Sequence, residues 1–188
     1  SAGGPADREV LERHGLTERP YVLTVGSHVK RKNLRALDPV AVRLAESGLD
    51  LVAVGGGRPQ LAAETRSSLV RDLGAVGAED LAALYSGARV MVLPSIYEGF
   101  GLPVCEAMAC GTPVVCSNMT ALVEAAGGAA LLVDPGSAEE LTAAVMSAAL
   151  DPDVRSELVR LGSERVEGLT WEATATAVDA VLASASTS

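Results

Sequence analysis

Short apolar runs alternate with amphipathic segments along this chain, and that alternation limits its possible folds more than any other feature. Runs rich in valine and leucine occupy residues 21–26, 50–55, 89–94, 113–117 and 130–134, with a weaker one at 69–74. Amphipathic segments occupy residues 33–47, 59–67, 79–86, 102–110 and 138–150. Continuous apolar strands are typical of parallel sheets that are covered on both faces. The pattern therefore predicts an α/β fold, a doubly wound parallel sheet with helices on both sides.

The end of the chain adds two predicted helices, at 152–161 and 171–184, after the last strand. We expect one domain over residues 1–188, in which residues 1–5 are a linker or an expression remnant. A chain of this length is long enough to bury a core of ordinary size.

Composition and charge exclude several classes of function. The net charge of −9 disfavours nucleic-acid binding, because such proteins present a basic surface. No apolar run approaches the roughly 18–20 residues of a membrane helix, so we expect no membrane segment. The three cysteines, Cys105, Cys110 and Cys116, lack metal-ligand spacing. We expect a reduced, cytoplasmic protein without a metal site.

A cationic loop, "GSHVKRKNLR" at 26–35, follows the first predicted strand. It holds Lys30 and Lys32, which are the only lysines of the sequence, with Arg31 between them. Ligands of doubly wound sheets bind beyond the carboxyl ends of the strands. The loop therefore predicts a phosphate grip, completed by the N-terminus of the 33–47 helix. The alternative is a solvated run of charges without a ligand.

A second loop, after the predicted strand at 89–94, holds two acidic side chains and no basic residue. Glu98 and Glu106 lie in "LPSIYEGFGLPVCEAMACGTPVVCS", 93–117, in which Gly99 and Gly101 allow the backbone to bend. An unpaired carboxylate in an apolar setting is costly. We therefore expect these two side chains to accept hydrogen bonds from the hydroxyls of a ligand. There are two alternatives. The glycine turn is required only for packing, or the two carboxylates are an acid–base pair for hydrolysis.

The glycine cluster after the second predicted strand and the two histidines are weaker indications of a site. Glycines at 55–57 follow a strand, but the third glycine of a dinucleotide fingerprint is absent, so a tight turn near a ligand is the better interpretation. His28 lies in the cationic loop, where it can contact a ligand. His14, which precedes a glycine, is interpreted as a helix-end residue.

Several motifs, in this order, resemble those of the retaining glycosyltransferases of family 4. The segment "PSIYEGFGLPVCEAMACGTPVVCS" resembles the E-x7-E donor signature of that family, with Glu98 and Glu106 as its carboxylates. The segment "TVGSHVKRKNLRAL" resembles the first phosphate loop, and "LGAVGAEDLAALYSGARVMVLPS" the loop near the base with the following strand. The segment "AALLVDPGSAEELTAAV" resembles the part after the signature. The likeness covers about residues 20–180.

The resemblance implies a GT-B fold, which consists of two Rossmann-like domains around a cleft, and this chain is similar to the C-terminal, donor-binding one. It implies catalytic roles for Glu98, which contacts sugar hydroxyls, and for Lys32 and Arg31, which hold the diphosphate. It implies donor-binding roles at further positions, from phosphate loop to base and ribose: Gly26, Ser27, Val76, Phe100, Gly101, Leu102 and Glu106. Many members have arginine directly after the first glycine, where this chain has Ser27.

The resemblance also implies a nucleoside-diphosphate hexose as donor, GDP- or UDP-linked, without a required metal. Mannose and glucose are the favoured sugars, and the acceptor is open. The expected partner is an N-terminal acceptor domain of the same protein, against which the 171–184 helix leans. The isolated domain is expected to be inactive, and the whole protein cytoplasmic or peripheral at a membrane. The alternatives are a nucleotide-binding or interaction module without transferase activity and a nucleotide-sugar epimerase of related architecture.

Overall fold

The structure, a computed structural model, describes residues 5–56 and 67–186. Within these residues the strands are β1 (Tyr21–Val25), β2 (Asp50–Val54), β3 (Val70–Asp72), β4 (Val90–Leu93), β5 (Val114–Ser117) and β6 (Leu131–Val133). The α-helices there are α1 (Pro5–Arg13), α2 (Asp38–Glu46), α3 (Ala78–Gly87), α4 (Leu102–Ala109), α5 (Thr120–Ala126), α6 (Ala138–Leu150), α7 (Pro152–Glu167) and α8 (Trp171–Ser186).

The six strands form one parallel sheet in the order β3-β2-β1-β4-β5-β6. This order is that of a Rossmann-like doubly wound sheet, so the predicted fold class is confirmed. The chain builds outwards from β1 in one direction and then, from β4, in the other. The order therefore reverses between β1 and β4, and that switch point is where such sheets bind ligands.

Alternate residues of the strands enter two separate cores, one on each face of the sheet. Leu23 and Met91 lie on the face that α3, α4 and α5 cover, whereas Val22 and Val90 lie on the face that α2 and α6 cover. All four are fully buried. This two-sided burial explains why the strands read as continuous apolar runs.

The helix predicted at 33–47 is shorter than the sequence indicates. Two 3-10 turns, Lys30–Lys32 and Leu34–Leu37, replace its first part, and α2 begins only at Asp38. Asn33 between the turns has a left-handed backbone with φ 53°, which ends regular helix, and Pro39 occupies the first turn of α2. The prediction that a helix N-terminus at residue 33 completes the phosphate grip is therefore wrong.

Two helices were not predicted, and one is longer than predicted. α1 occupies a polar segment next to the expected linker, and its Leu11 packs against the core. α5 has only seven residues, too few to show a helical period. α7 continues to Glu167, beyond the predicted end at 161. The helix predicted at 59–67 lies almost wholly outside the described residues.

The last helix, α8, presents apolar side chains to solvent. Val178, Val181 and Leu182 are 51%, 67% and 60% exposed. Among the described residues, no helix combines the length and the apolar character that crossing a membrane requires.

Candidate functional site

The cationic loop and the Glu98 loop meet at the switch point of the sheet. The first follows β1 and the second follows β4, and these two strands are paired neighbours. The backbone N–H of Ile96 donates to the carbonyl of Arg31 at 2.9 Å, which joins the two loops directly. The topology thus brings together residues that lie more than sixty positions apart in sequence.

The carboxylate of Glu98 is the anion at the centre of this junction. Its Oε1 accepts hydrogen bonds from Lys32 Nζ and, at 2.7 Å, from Ser95 Oγ. Its Oε2 accepts one from the Arg31 guanidinium at 3.1 Å, and the same guanidinium donates to the Tyr97 carbonyl at 3.1 Å. The side chains of Lys32 and Glu98 are only 7% and 8% exposed, whereas that of Arg31 is 46% exposed. A carboxylate that has no cation nearby in sequence therefore has two in space.

The neighbours of Glu98 keep it ionised. Burial is the largest single influence and raises the pKa of this carboxyl. The hydrogen bonds from Lys32 and Ser95 and the charges of Lys32 and Arg31 oppose burial, and together they lower the pKa below its ordinary value. The cluster at neutral pH consequently consists of one carboxylate and two cations, with an excess of one positive charge.

Glycines let the lysine side chain lie against the main chain. A β-carbon at Gly26, where φ is 152°, would lie 3.0 Å from Lys32 Cε. Gly55, with φ 142°, packs behind it, since a β-carbon there would lie 2.1 Å from the Gly26 carbonyl oxygen. The backbone contact requires glycine at Gly55, and at Gly26 the positive φ favours glycine while a β-carbon would displace the Lys32 side chain. The tight turn expected at 55–57 stays a prediction, because residues 57–66 lie outside the part of the chain that the structure describes.

The start of α4 follows the Glu98 loop directly in sequence. Gly101 is the N-cap with φ 92°, and a β-carbon there would lie 2.9 Å from Leu122. Phe100 and Leu102 on either side are 54% and 57% exposed. The first amides of a helix have no intrahelical acceptor and carry a positive partial charge. The arrangement suits an anion, and the role of these three backbone positions stays a prediction.

Glu106 lies one turn into α4, separate from the Glu98 cluster. Its Oε2 accepts a hydrogen bond from the hydroxyl of Tyr85 at 3.0 Å. Tyr85 is buried, and burial followed by the nearby Glu106 carboxylate raises the pKa of its hydroxyl, which keeps it a donor. This bond holds one carboxylate oxygen of Glu106.

Four further residues from the sequence analysis lie outside the Glu98 cluster. Ser27 and His28 are half-buried in the loop after β1, and His28 Nε2 lies 3.7 Å from Asp72 Oδ2. Val76 is half-buried between β3 and α3 and packs against the core of that face. His14 directly follows α1, which confirms it as a helix-end residue. Its ring Nε2 lies 3.0 Å from Asp80 Oδ2.

Three residues of the site were not singled out from the sequence. Ser95 and Tyr85 donate to the two glutamates, and Asn33 connects the cationic loop to the ends of other strands. The one sequence signal for Asn33 is its residue type, because asparagine adopts the left-handed backbone region more readily than other non-glycine residues. In the described part of the chain, no three histidine, cysteine, aspartate or glutamate side chains form a group that could hold a metal ion.

A family model described as glycosyl transferases group 1 matches residues 19–151, more than half of the chain. The chain belongs to this family. The match includes the cationic loop, the Glu98 loop and Glu106.

Curated relatives of this glycosyl transferase chain include enzymes that transfer mannose. The chain is 37% identical over 174 residues to the O-antigen chain mannosyltransferase B of Escherichia coli, covering 87% of this chain and 45% of that protein. It is 43% identical over 122 residues to the MMP alpha-(1->4)-mannosyltransferase of Mycolicibacterium hassiacum, covering 61% and 29%. It is 32% identical over 190 residues to the D-inositol 3-phosphate glycosyltransferase of Rhodococcus opacus, covering 91% and 43%. The chain thus spans less than half the length of these relatives.

Solved structures agree with the fold of this glycosyl transferase chain. Sucrose-phosphate synthase from Thermosynechococcus elongatus matches with a TM-score of 0.78 at 33% identity, over 94% of this chain and 48% of that one. An Anabaena protein solved in complex with UDP and glucose matches with a TM-score of 0.82 at 18% identity, over 97% and 53%. The second likeness shows the fold alone.

Proposed function

We propose that this chain is the donor-binding domain of a retaining glycosyltransferase of family 4, and that it binds a nucleoside-diphosphate hexose at the junction of the cationic loop and the Glu98 loop. The observation that carries the proposal is the cluster of Lys32, Arg31 and Glu98 at the switch point. The cluster has one more positive than negative charge, and its Glu98 lies four residues before the start of α4 in sequence.

The pairing inside the cluster suggests how a donor enters. The Glu98 carboxylate accepts one hydrogen bond from each of the two cations. A diphosphate carries more charge than one carboxylate and offers several acceptors, so it competes with Glu98 for Lys32 and Arg31. Once displaced from the cations, the carboxylate is available to the hydroxyls of the hexose, which lies next to the diphosphate in every sugar nucleotide.

The same charges favour the chemical step. Transfer breaks the bond between the anomeric carbon and the diphosphate, and negative charge develops on the leaving diphosphate. Lys32, Arg31 and the amides at the start of α4 oppose that charge from fixed positions, which is electrostatic catalysis by preorganised donors. Because these groups supply the positive charge, we propose that the transfer needs no metal. From the family resemblance we further propose that an acceptor hydroxyl bonds the anomeric carbon on the face that the diphosphate leaves, which retains the configuration, and that the hydroxyl proton passes to the leaving diphosphate.

The other end of the donor belongs, in this proposal, to Glu106 and Val76. The Tyr85 bond orients Glu106 and leaves its second oxygen for a ribose hydroxyl. The backbone at Val76 lies in the loop after β3, on the same edge of the sheet, where it suits the base. The two glutamates would then contact different ends of the nucleotide sugar.

The relatives support a hexose and a second domain. Two of them are named mannosyltransferases, which favours mannose with glucose next. All are more than twice as long as the matched segment, which supports an acceptor-binding domain elsewhere in the whole protein. We propose that the exposed apolar face of α8 leans on that domain.

Calorimetry on the chain tests the proposal. UDP, GDP and ADP, each with and without its hexose, are titrated in the presence of EDTA. Binding of at least one diphosphate, tighter with the hexose attached, supports a metal-independent donor site. Absence of binding for all of them contradicts the proposal. A binding module without transferase activity predicts no preference for the hexose form, and an epimerase predicts conversion of the sugar nucleotide during incubation with the whole protein.

A further inference from the structure

Asn33 has a backbone conformation that is unique among the non-glycine residues that the structure describes. Its φ is 53°, in the left-handed region. Its side-chain Nδ2 donates to the carbonyl of Pro94 at 3.2 Å and to the carbonyl of Pro135 at 3.0 Å. One amide group with two hydrogens thus bridges the loops after β4 and β6 to the loop after β1.

The position of Asn33 in the chain gives this bridge its significance. Asn33 directly follows Lys32, and Pro94 directly precedes Ser95, the hydroxyl donor to Glu98. The bridge therefore fixes the two sides of the ion pair relative to each other. A carboxylate or a smaller side chain at residue 33 cannot donate to both carbonyls, because only the amide offers two N–H donors there.

We propose that Asn33 is a positioning residue that holds Lys32 and Arg31 in register with Glu98 and so sets the affinity of the site for a diphosphate. The inference rests on the proposed function for its ligand but not for its geometry. Asn33 itself lies behind the cations and acts through them. The left-handed backbone at φ 53° is held by the hydrogen bonds from Asn33 to two carbonyl groups and by the junction between the loops.

Two variants separate the side chain from the backbone. Asn33→Gly keeps the left-handed backbone and removes both donors, whereas Asn33→Asp keeps the size and sets a carboxylate against two carbonyls. Asn118→Gly is the control, because Asn118 is an exposed asparagine after β5 at the same edge of the sheet. Circular dichroism and thermal unfolding identify which variants fold.

The first measurement needs no ligand. A carbon-13 titration of the Glu98 carboxyl reports whether Lys32, Arg31 and Ser95 still face it. We expect the pKa, lowered in the native protein, to rise towards its ordinary value in Asn33→Gly and to stay unchanged in Asn118→Gly. Asn33→Asp is compared only in folding and UDP binding, because its added carboxylate raises the pKa of Glu98 by itself.

The second measurement uses UDP. We expect its affinity to fall about tenfold in the Asn33 variants, which is the effect of a lost charged hydrogen bond. In a Lys32→Ala background the further loss should be small, since the bridge acts through that lysine. A folded Asn33→Gly variant with an unchanged Glu98 titration overturns the inference. A shifted titration in a protein that binds none of UDP, GDP and ADP retains the positioning role of Asn33 and contradicts the proposed function instead.

Discussion

The ammonium of Lys32 donates to the carboxylate of Glu98 across the switch point of the sheet, although 66 residues separate them. Both side chains are more than nine-tenths buried, and the bond joins the loop after β1 to the loop after β4. In the structure the two cations are held by an internal anion, and under the proposed function a diphosphate takes the place of that anion. Several predictions about charge and pH depend on this exchange.

Removal of the internal anion should strengthen the binding of a free diphosphate. Glu98→Gln keeps the shape of the side chain but leaves Lys32 and Arg31 without a competing carboxylate. We expect UDP to bind roughly three- to tenfold more tightly, about 1 kcal/mol. The advantage of the hexose-linked form over UDP should shrink, because a neutral amide accepts hydroxyl donors less strongly.

The same variant should unfold more easily without ligand. Breaking a buried ion pair by removing one charge costs about 3 kcal/mol. Urea unfolding measures that loss, and saturating UDP should restore more stability to Glu98→Gln than to the native chain. An affinity for UDP that falls in Glu98→Gln would show that Glu98 positions the cations and does not compete for ligand.

Acid should remove the contribution of Glu98 to stability. Its pKa is lowered by folding, so the stabilisation is complete above the ordinary carboxyl pKa and is lost as pH falls through the lowered folded value. Ser95→Ala removes one hydrogen bond to the ionised form and should move this loss to higher pH.

Urea unfolding between about pH 2 and pH 6 follows this effect. Glu98→Gln serves as the reference that lacks the titrating group. A profile of Ser95→Ala identical to that of the native chain would show that the hydroxyl has no influence on the charge of Glu98.

The ribose assignment of Glu106 can be tested with ligands that lack hydroxyls. Glu106→Ala should weaken UDP binding by roughly tenfold, the effect of a charged hydrogen bond. It should leave the binding of inorganic pyrophosphate and of 2′,3′-dideoxy-UDP unchanged. Tyr85→Phe, which removes the donor that orients Glu106, should weaken UDP binding by a smaller factor. An equal loss for pyrophosphate would place Glu106 at the phosphates or in the fold.

The 188-residue chain alone should not transfer sugar. Its relatives are more than twice as long, and the described residues form one sheet with its helices, without a second domain to hold an acceptor. Radiolabelled GDP-mannose and UDP-glucose, incubated with the chain and mixed glycan acceptors, measure this. Turnover above the level of a Lys32→Ala control would refute it.

The fold followed from the sequence where burial sets the pattern. The strands β1, β2, β4 and β5 are covered on both faces, so their apolar runs are continuous and visible, whereas Arg71 and Asp72 of the edge strand β3 are exposed. The predicted start of the 33–47 helix was wrong because Asn33 has a left-handed backbone. Its side chain donates hydrogen bonds to the carbonyls of Pro94 and Pro135, which are distant in sequence. α5 was missed because seven residues cannot show a helical period.

The site was predictable in its location but not in its contacts. Lys32 and Glu98 both follow strands, so the sequence placed them at one edge of the sheet. Their direct bond was not predicted, since it depends on the adjacency of β1 and β4 and on the shapes of two loops. The sequence therefore left Glu98 without a cation, and only the three-dimensional arrangement supplies one.

The most direct test of the account compares the only two lysines of the chain. Lys30 and Lys32 lie in the same loop and carry the same charge, but Lys30 is exposed whereas Lys32 is buried against Gly26 and bonded to Glu98. Calorimetric titration with UDP, GDP and ADP at low and high salt measures both alanine variants. We predict that Lys32→Ala loses about ten- to a hundredfold in diphosphate affinity. Lys30→Ala should lose about twofold, and only at low salt. Equal affinities for the two variants would contradict the account, because the cationic loop would then be a solvated surface.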